Sequence, residues 1–559
     1  MIGVYLLTAR RDSIRAAMAR AAEEAAGAGA LPPMPPPAFG VEVPRDDAHG
    51  DFACNLALLL APQVNLAPRA VAEALRKHLP PGAVPDLDRV EVAGPGFLNF
   101  FLTPGWLASA VDEVLAAGAA YGAADVGAGR RVLVEFVSAN PTGPLNVVNC
   151  RAAAFGDALV RCLRAAGYAA EAEYYVNDAG GQIRRLALSL AARMRQQRGE
   201  PAVIPEGGYP GDYLRDIAAD YLAERGASVL DEAEDRQVAT LGSFAADRIL
   251  ADQQRSLRRF RVQHDHFARE SEVRDARGPE EVVAALEAAG HTEWRDGALW
   301  MRSSLAGDND DRVLRKRDGE FTYRVPDIAY HMGKFRRGYD VLVDIYGPDH
   351  HGEVPAVRIA LEWLGFPIDR LEVLITQIIR IIRDGAPEKV SKRGGTFISM
   401  DEFLDEVGVD AARFFFLMRT NDSHMDFDVD LARRQSQDNP VYYVQYAHAR
   451  IQSILRQAAW EPGHGRGTAP LVHPAEAALC RSLATFPDEV VAAAEGRAPH
   501  RLTTYARVLA ERFHAFYVQC RVLGEPAAVT QARLALCAAA RIVLANTLHL
   551  LGVSAPDRM

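Results

Sequence analysis

The chain has 559 residues, 49% hydrophobic and 24% charged, with a formal net charge of −10. That length can hold three or four domains with cores of their own, in a composition ordinary for a soluble folded protein. The acidic balance argues against indiscriminate nucleic-acid binding but leaves room for a local basic surface.

No apolar run reads as long enough to span a membrane. The start, MIGVYLLTARR, has too short an apolar stretch, with its arginines behind it, for a signal peptide. Six cysteines without a CxxC pair fit a reducing cytoplasm better than a disulfide or zinc framework.

Residues 9–28 predict a helix that PPMPPP (32–37) cannot continue, because proline lacks the amide donor a helix needs. GDFACNLALLLA and PRAVAEALRKHL read as amphipathic helices, and VEVAGPGFLNFFL as a hairpin around Gly94-Pro95-Gly96. A small α+β domain over 1–105 is expected. A strand (131–139), a helix (149–166) and a strand (171–177) then open an α/β unit. Phe155, Leu159, Cys162, Leu163 and Ala166 give its helix one apolar stripe. A helical insertion is expected over about 181–310. The alternation resumes with YDVLVDIYG, a helix at 354–364 and LEVLITQII. Two βαβ halves split by an insertion predict a Rossmann-type, doubly wound parallel sheet over 106–430. From Asp401 onward everything reads helical apart from EPGHGRGTAP, which gives an all-α domain over 431–559. From Pro440 to Met559 there are 12 Arg, no Lys and 8 acids, a charge of +4, which leaves −14 for the rest.

A P-loop is excluded, because no GxxxxGK[ST] occurs. DHHG (349–352) lacks companions for a metal site, and Gly463-His-Gly-Arg-Gly has no strand before it and reads as a linker. Two features carry chemistry. VEFVSANPTGPLNVVNC runs from strand to turn to helix, the place where free backbone amides and the helix dipole attract phosphate. The plainer reading is that Asn149 caps the helix and Asn146 favours the turn. The second feature rests on scarcity. Of 63 Lys and Arg only five are lysines, yet two fall within Lys389-Val390-Ser391-Lys392-Arg393. A compact ammonium is wanted there, as for mobile phosphate contacts.

Together, the turn and the lysine loop resemble the two signatures of class I aminoacyl-tRNA synthetases, a His-x-Gly-His turn and a Lys-Met-Ser-Lys-Ser loop. Within that class the chain is similar to the arginyl-tRNA synthetase family. GDFACNLALLLA, VAGPGFLNFFL, EFVSANPTGPL, EYYVNDAGGQI, DIAYHMGKFRRGYD and YGPDHHG carry the likeness, with KVSKRGGTFISMDEFLDEVGVDAARFFFLMR, NPVYYVQYAHAR and the ending LLGVSAPDRM. It spans nearly the whole chain and is weakest over 190–300. The resemblance implies an N-terminal domain touching the tRNA elbow, a catalytic domain activating arginine with ATP, and a bundle reading the anticodon. It also implies a cytoplasmic monomer with arginine, arginine tRNA and ATP as partners, Mg2+ as the counter-ion of ATP, no protein-bound metal and no membrane. Adenylate formation should wait for bound tRNA.

Carried over position by position, the catalytic roles fall on Asn146, Asn149, Lys389 and Lys392. ATP contacts fall on Asn146, Val148, Asn149, Gly347, Asp349, His350, Lys389, Ser391 and Lys392. The arginine pocket takes Glu135, Ser138, Asn140, Tyr323, Asp327 and Asp349, and anticodon contacts fall on Tyr446, Arg450 and Met559. A guanidinium presents five donors in a rigid fork, so such a pocket needs carboxylates and other acceptors. Tyr323 and Asp327 lie one helical turn apart.

The first signature departs from the family pattern. Asn146 and Asn149 stand for the two histidines, Val148 for the glycine and Cys150 for the next position. An amide donates to a phosphate oxygen but is never cationic. The lost charge assistance costs on the order of 1–2 kcal/mol per contact, roughly tenfold in rate each. A branched Val148 should push ATP outward where glycine lets it approach. Two readings stay open. One is an active enzyme whose asparagines donate neutral hydrogen bonds while Lys389 and Lys392 hold pyrophosphate. The other is a catalytically silent paralogue that binds tRNA or arginine without charging. A general nucleotidylyltransferase fits less well, because it needs neither the arginine pocket nor the anticodon-type bundle.

Overall fold

Alternation along the strand β1 (Arg131–Glu135) decides the architecture. Val132 and Val134 pack into one apolar cluster, with Ala154 and Leu159, while Leu133 packs into another, with Val325 and Ile328. A strand buried on both faces belongs inside a parallel sheet covered by helices. The neighbours of β1 are β2 (Ala169–Val176) and β4 (Val341–Tyr346), with β3 (His266–Arg269) and β5 (Leu371–Ile375) at the edges. All pair in parallel, in the spatial order β5-β4-β1-β2-β3. This is the expected doubly wound sheet, and its order reverses between β1 and β4, where such folds bind ligands. Helix α1 (Val147–Ala165) covers one face and α2 (Arg324–Arg336) the other. The computed structural model describes residues 5–44, 46–103, 105–348, 352–388, 398–461 and 471–559.

The N-terminal part is a helix, Leu6–Gly27, with a four-stranded antiparallel sheet and two further helices. The hairpin at Gly94–Gly96 joins Leu87–Ala93 to Phe97–Leu102 as expected. GDFACNLALLLA is not one helix: Phe52–Cys54 is a strand, burying Phe52 and Cys54 on one side before the helix Leu56–Val64 begins.

The insertion is helical over Gly181–Gln197, Tyr213–Arg225 and Glu234–Arg259, with a core of its own. It also carries strands, which corrects the expectation of helices throughout. His266–Arg269 completes the main sheet, and Thr292–Arg295, Ala298–Met301 and Arg312–Arg315 form a separate antiparallel sheet. Four-residue strands are too short for a period of two to stand out. The turn Asp296-Gly297, with φ of 49° and 78°, was nevertheless a readable hairpin signal. Past Asp401 one further strand, Met425–Asp428, pairs in parallel with Ile379–Arg383.

Helix α3 (Met400–Val407) leads toward the bundle of α4 (Pro440–Gln457), α5 (Pro474–Glu495), α6 (His500–Gln519) and α7 (Ala527–Leu550). By length and composition alone α7 could cross a membrane, contrary to the expectation that no run could. Its Leu536, Cys537, Val543 and Leu544 are fully buried, and it packs against α4 and α6 as the core helix of the bundle.

One buried side chain ties bundle, insertion and sheet together. Arg413, fully buried in the helix Val409–Leu417, donates to Leu551 O (2.8 Å) and Phe260 O (2.9 Å) and pairs with Asp157 of α1. Gly552 passes beside it at φ 67°, where a Cβ would lie 2.3 Å from the guanidinium carbon. Arg413→Met leaves these acceptors unmet in the interior and should cost roughly 3–5 kcal/mol. A thermal melt is expected to fall by several degrees, and an unchanged melt would show that the junction does not depend on this contact.

Candidate active site

The chain leaves β1 through a constrained backbone. Val137 and Ser138 have φ of 72° and 39°, a region a branched residue rarely enters. Strain of this kind persists where the surroundings over-determine it, and it gathers at functional sites. Here Tyr174 and Gln253 impose it. The Tyr174 hydroxyl accepts the Ala139 N–H (3.1 Å) and lies 2.9 Å from Gln253 Oε1. Gln253, 1% exposed, donates to Asn140 O (3.0 Å) and Gly143 O (2.8 Å), fixing the turn from the insertion side.

The turn ends in a reciprocal cap. Asn146 Oδ1 accepts the Val148 N–H at 2.9 Å, and Asn149 Oδ1 accepts the Asn146 N–H at 3.0 Å. The plainer reading holds with its roles exchanged, since Asn146 is the N-cap and Asn149 the third helical residue that closes the box, but it does not displace the other. With each Oδ1 turned onto a backbone donor, each NH2 must point away from the cap. Neither NH2 has a hydrogen-bond partner among the described residues. Val148 stands on the same first turn, 46% exposed.

The segment following the lysine loop is stitched to this turn. Val147 N donates to Ile398 O (3.1 Å) and Met400 N to Leu145 O (2.8 Å), around an antiparallel bridge between Asn146 and Ser399. Ser399 caps α3 with Glu402, so two helix N-termini lie side by side. Arg151 of α1, 1% exposed, donates to Gln377 O (3.0 Å) and Thr420 O (2.7 Å), holding the approach to Ile379–Arg383. Lys389, Ser391 and Lys392 lie outside the described residues, as do Asp349 and His350. Gly347 directly follows β4.

A row of carboxylates lies beneath the turn. Asp344 on β4, Glu135 on β1 and Glu173 on β2 are register partners and share one face. Adjacent strands are only about 4.8 Å apart, so a bare row would repel itself. Helix α2 answers each acid. Lys334, fully buried, contacts Glu135 Oε2 and lies 2.6 Å from Asp344 Oδ1. Arg337 pairs with Glu173 (2.7 Å to Oε1), and the Tyr330 hydroxyl sits 2.6 Å from Glu173 and 3.1 Å from Glu135. Ser138 Oγ donates to Glu135 Oε1 at 2.8 Å. His331 lies between Asp344 Oδ2 (2.8 Å) and Asp327, whose carbonyl is 2.8 Å and Oδ1 3.2 Å from Nδ1.

Burial opposes every one of these charges; it prevails at Glu135, whose carboxyl is pushed up, while at Asp344, Glu173, Lys334 and His331 the opposite charges outweigh it. Asp344 is held well below the usual carboxylate range by Lys334 and His331. Lys334 is driven further above its ordinary value by Asp344 and Glu135. His331 is raised to about 10, chiefly by Asp327.

The predicted pocket residues separate into two levels. Asp327, its side chain 36% exposed, is the open end of the row. Tyr323, one turn earlier, is 61% exposed and donates to Glu353 Oε1 at 2.7 Å, and Asn140 is exposed. Glu135 is 3% exposed, and Ser138, Tyr330 and Lys334 approach its oxygens from within. Sequence reasoning saw an acid at a strand end but not the register that sets Lys334 against it. It also missed Lys334, His331, Arg151 and Gln253. The scarcity of lysine that marked Lys389 and Lys392 marks Lys334 equally.

On the bundle, Arg450 donates to the Tyr446 hydroxyl (2.6 Å) and lies 4.4 Å over the Tyr517 ring. Met559 lines a cavity of about 740 Å³ with Arg433, Arg434, Tyr442 and Gln445. The Tyr442 ring lies 6.4 Å from that of Tyr446, which links the two places.

Family models match along the chain in order. They are an arginyl tRNA synthetase N terminal domain at 11–102, a class I tRNA synthetase (R) catalytic domain at 110–435 and a DALR anticodon binding domain at 444–559. The chain is 45% identical to the arginine–tRNA ligase of Symbiobacterium thermophilum, over 98% of its own length and 99% of the relative's. It is 46% identical to that of Moorella thermoacetica, over 98% of each. Its fold superposes on the Thermus thermophilus arginyl-tRNA synthetase with a TM-score of 0.74 at 25% identity, covering 98% of this chain and all of the other.

Lys334→Met tests the row directly. Without the ammonium, Glu135 and Asp344 face each other unshielded, and the loss should be roughly 3–5 kcal/mol near pH 8. One carboxyl of the bare pair then titrates above its unfolded value, so it favours folding below that value and ceases to as pH rises. Melting temperatures of both proteins should therefore converge between pH 8 and pH 5. A gap that does not change with pH would mean the two acids do not feel each other.

Proposed function

The chain belongs to the arginyl-tRNA synthetase family, and from that premise we propose how its altered first signature works and where its substrates sit. The enzyme activates arginine with ATP and transfers it to the 3′ end of arginine tRNA. Relatives matched over their full length are ligases, and nothing favours the silent-paralogue reading.

The arginine carboxylate attacks the α-phosphorus of ATP and pyrophosphate leaves. A hydroxyl of the terminal adenosine of the tRNA then takes the aminoacyl group and AMP departs. No side-chain nucleophile is needed, so the protein contributes positioning and charge stabilisation. In our reading the Nδ2 groups of Asn146 and Asn149 donate to phosphate oxygens at the helix N-terminus, where the dipole adds its own attraction. Their forced orientation away from the cap supports this. Lys389 and Lys392 supply the positive charge the asparagines lack, with Ser391 between them. Val148, Gly347, Asp349 and His350 border the nucleotide, and Mg2+ arrives with ATP as its counter-ion.

One observation carries the arginine pocket. Four carboxylates of the row, Glu135, Glu173, Asp344 and Asp327, meet three cations, Lys334, Arg337 and His331. Asp327, the part-exposed end, shares its one described cation, His331, with Asp344, so the acceptor capacity left open in the row lies there. A guanidinium fits that place, with Asp327, Tyr323, Asn140 and Asp349 as acceptors and Ser138 and Glu135 supporting from beneath. We assign residues 1–105 to the tRNA elbow, 106–430 to catalysis and 431–559 to the anticodon. Tyr446, Arg450 and Met559 would meet bases there, on the part that carries +4. A monomer in the cytoplasm completes the reading, and six free, buried cysteines suit that compartment.

Charging with labelled arginine tests the turn. Asn149→Asp keeps the capping oxygen but removes the NH2, so it should melt like wild type while charging about tenfold or more slowly. Asn149→Ala loses both and should be slower and less stable. Asn149→Asp charging at the wild-type rate would remove the amide from the mechanism.

A further inference from the structure

If Asp327 receives the guanidinium, something must hold its carboxylate still. We propose that His331 is a positioning residue for arginine: an imidazolium clamped between Asp344 and Asp327 that fixes the Asp327 carboxylate for the substrate. The inference rests on the arginine pocket described above.

Its first support is hydrogen-bond chemistry. Nδ1 faces the Asp327 carbonyl at 2.8 Å and its Oδ1 at 3.2 Å, and Nε2 faces Asp344 Oδ2 at 2.8 Å. A neutral imidazole donates from one nitrogen only, so one lone pair would point at an oxygen. Both nitrogens facing acceptors calls for the doubly protonated ring.

The surroundings agree from every side. The helix of His331 itself presents Asp327 and Lys334, β4 presents Asp344 and the Tyr346 hydroxyl at 3.4 Å, and β1 presents Glu135. The next acid, Glu270, has Arg274 as its own partner. Three acids against one other cation leave the ring charged, in line with its pKa of about 10. His331 is 2% exposed, so this charge is shielded from solvent.

The second support is the state of Asp327. Its only ion pair among the described residues is with His331. The i,i+4 spacing on α2 sets the ring directly behind the carboxylate, and Asp327 Oδ2 is left for a ligand. A carboxylate so held offers its fork in one orientation. A free one would sample several and be partly hydrated.

The experiment compares arginine and ATP kinetics in the full-length enzyme. His331→Gln keeps a donor toward Asp344 and loses the clamp on Asp327. It should raise KM for arginine about tenfold, leave KM for ATP unchanged and change kcat less than threefold. His331→Asn, whose amide can replace Nδ1, should recover most of the arginine KM. Asp327→Ala should raise arginine KM on its own, and Asp327→Ala/His331→Gln should be no worse than Asp327→Ala. Arginine KM unmoved in Asp327→Ala overturns the pocket itself. Arginine KM raised in Asp327→Ala but not in His331→Gln overturns the positioning role alone, as do equal shifts for arginine and ATP. A wild-type readout does not depend on folding of His331→Gln. In nitrogen NMR of labelled histidine, with the signal assigned by its loss in His331→Asn, both ring nitrogens should be protonated at pH 8. A neutral ring there overturns the proposal.

Discussion

Three carboxylates in register on three neighbouring strands set the main constraint on this molecule. Asp344, Glu135 and Glu173 cannot share one buried face unless cations lie over them. Helix α2 carries His331 and Lys334 along one side, with Asp327 a turn earlier, and Arg337 caps its end. A rotation or slip of α2 would leave at least one acid bare. Such buried pairs add little net stability over apolar packing, since desolvation offsets most of the attraction. What they add is discrimination among placements, because each wrong register of helix on sheet carries the full penalty of an uncompensated charge. The end of β1, and with it the strained Val137-Ser138 exit, is thereby fixed relative to α2.

The same placement decides where chemistry can happen. The turn after β1 is held by Gln253 from the insertion, by Ile398 and Met400 from beyond the lysine loop, and by its own cap. Two segments distant in sequence thus converge on the turn, and its own cap completes the hold. Replacing histidine with asparagine at this turn keeps the cap and a donor and gives up the charge. In the reading proposed above, Lys389 and Lys392 carry the positive charge that the asparagines cannot. Val148, 46% exposed, stands on the same first turn of α1.

Much of this was legible before the structure. The doubly wound sheet followed from two apolar βαβ stretches, and the bundle from its periodicity. What was not legible was short or non-local. The strands at 266–269, 292–315 and 425–428 are too brief to show a period. Glu135 and Asp344 are 209 residues apart in sequence only on paper; in register they touch the same ammonium, and no spacing rule announces that. Lys334 and His331 sit in a helix whose composition looks ordinary. The one signal for Lys334 was the rarity of lysine in a chain that otherwise uses arginine.

The charge row also bears on selectivity. A pocket that merely lacked one positive charge would accept lysine as readily as arginine, since both deliver a cation. In the pocket proposed above, His331 engages the inner side of Asp327 and the substrate is offered its outer carboxylate edge together with Tyr323 and Asn140. A planar fork with five donors can meet several acceptors at once, whereas a compact ammonium satisfies one neighbourhood and leaves the others to water. The interior meanwhile has used its own lysine at the opposite task, where Lys334 bridges two acids from within a closed space. The two kinds of cation are thus divided by geometry: the point charge lies under the sheet's carboxylates, and in the proposed pocket the fork takes the open end.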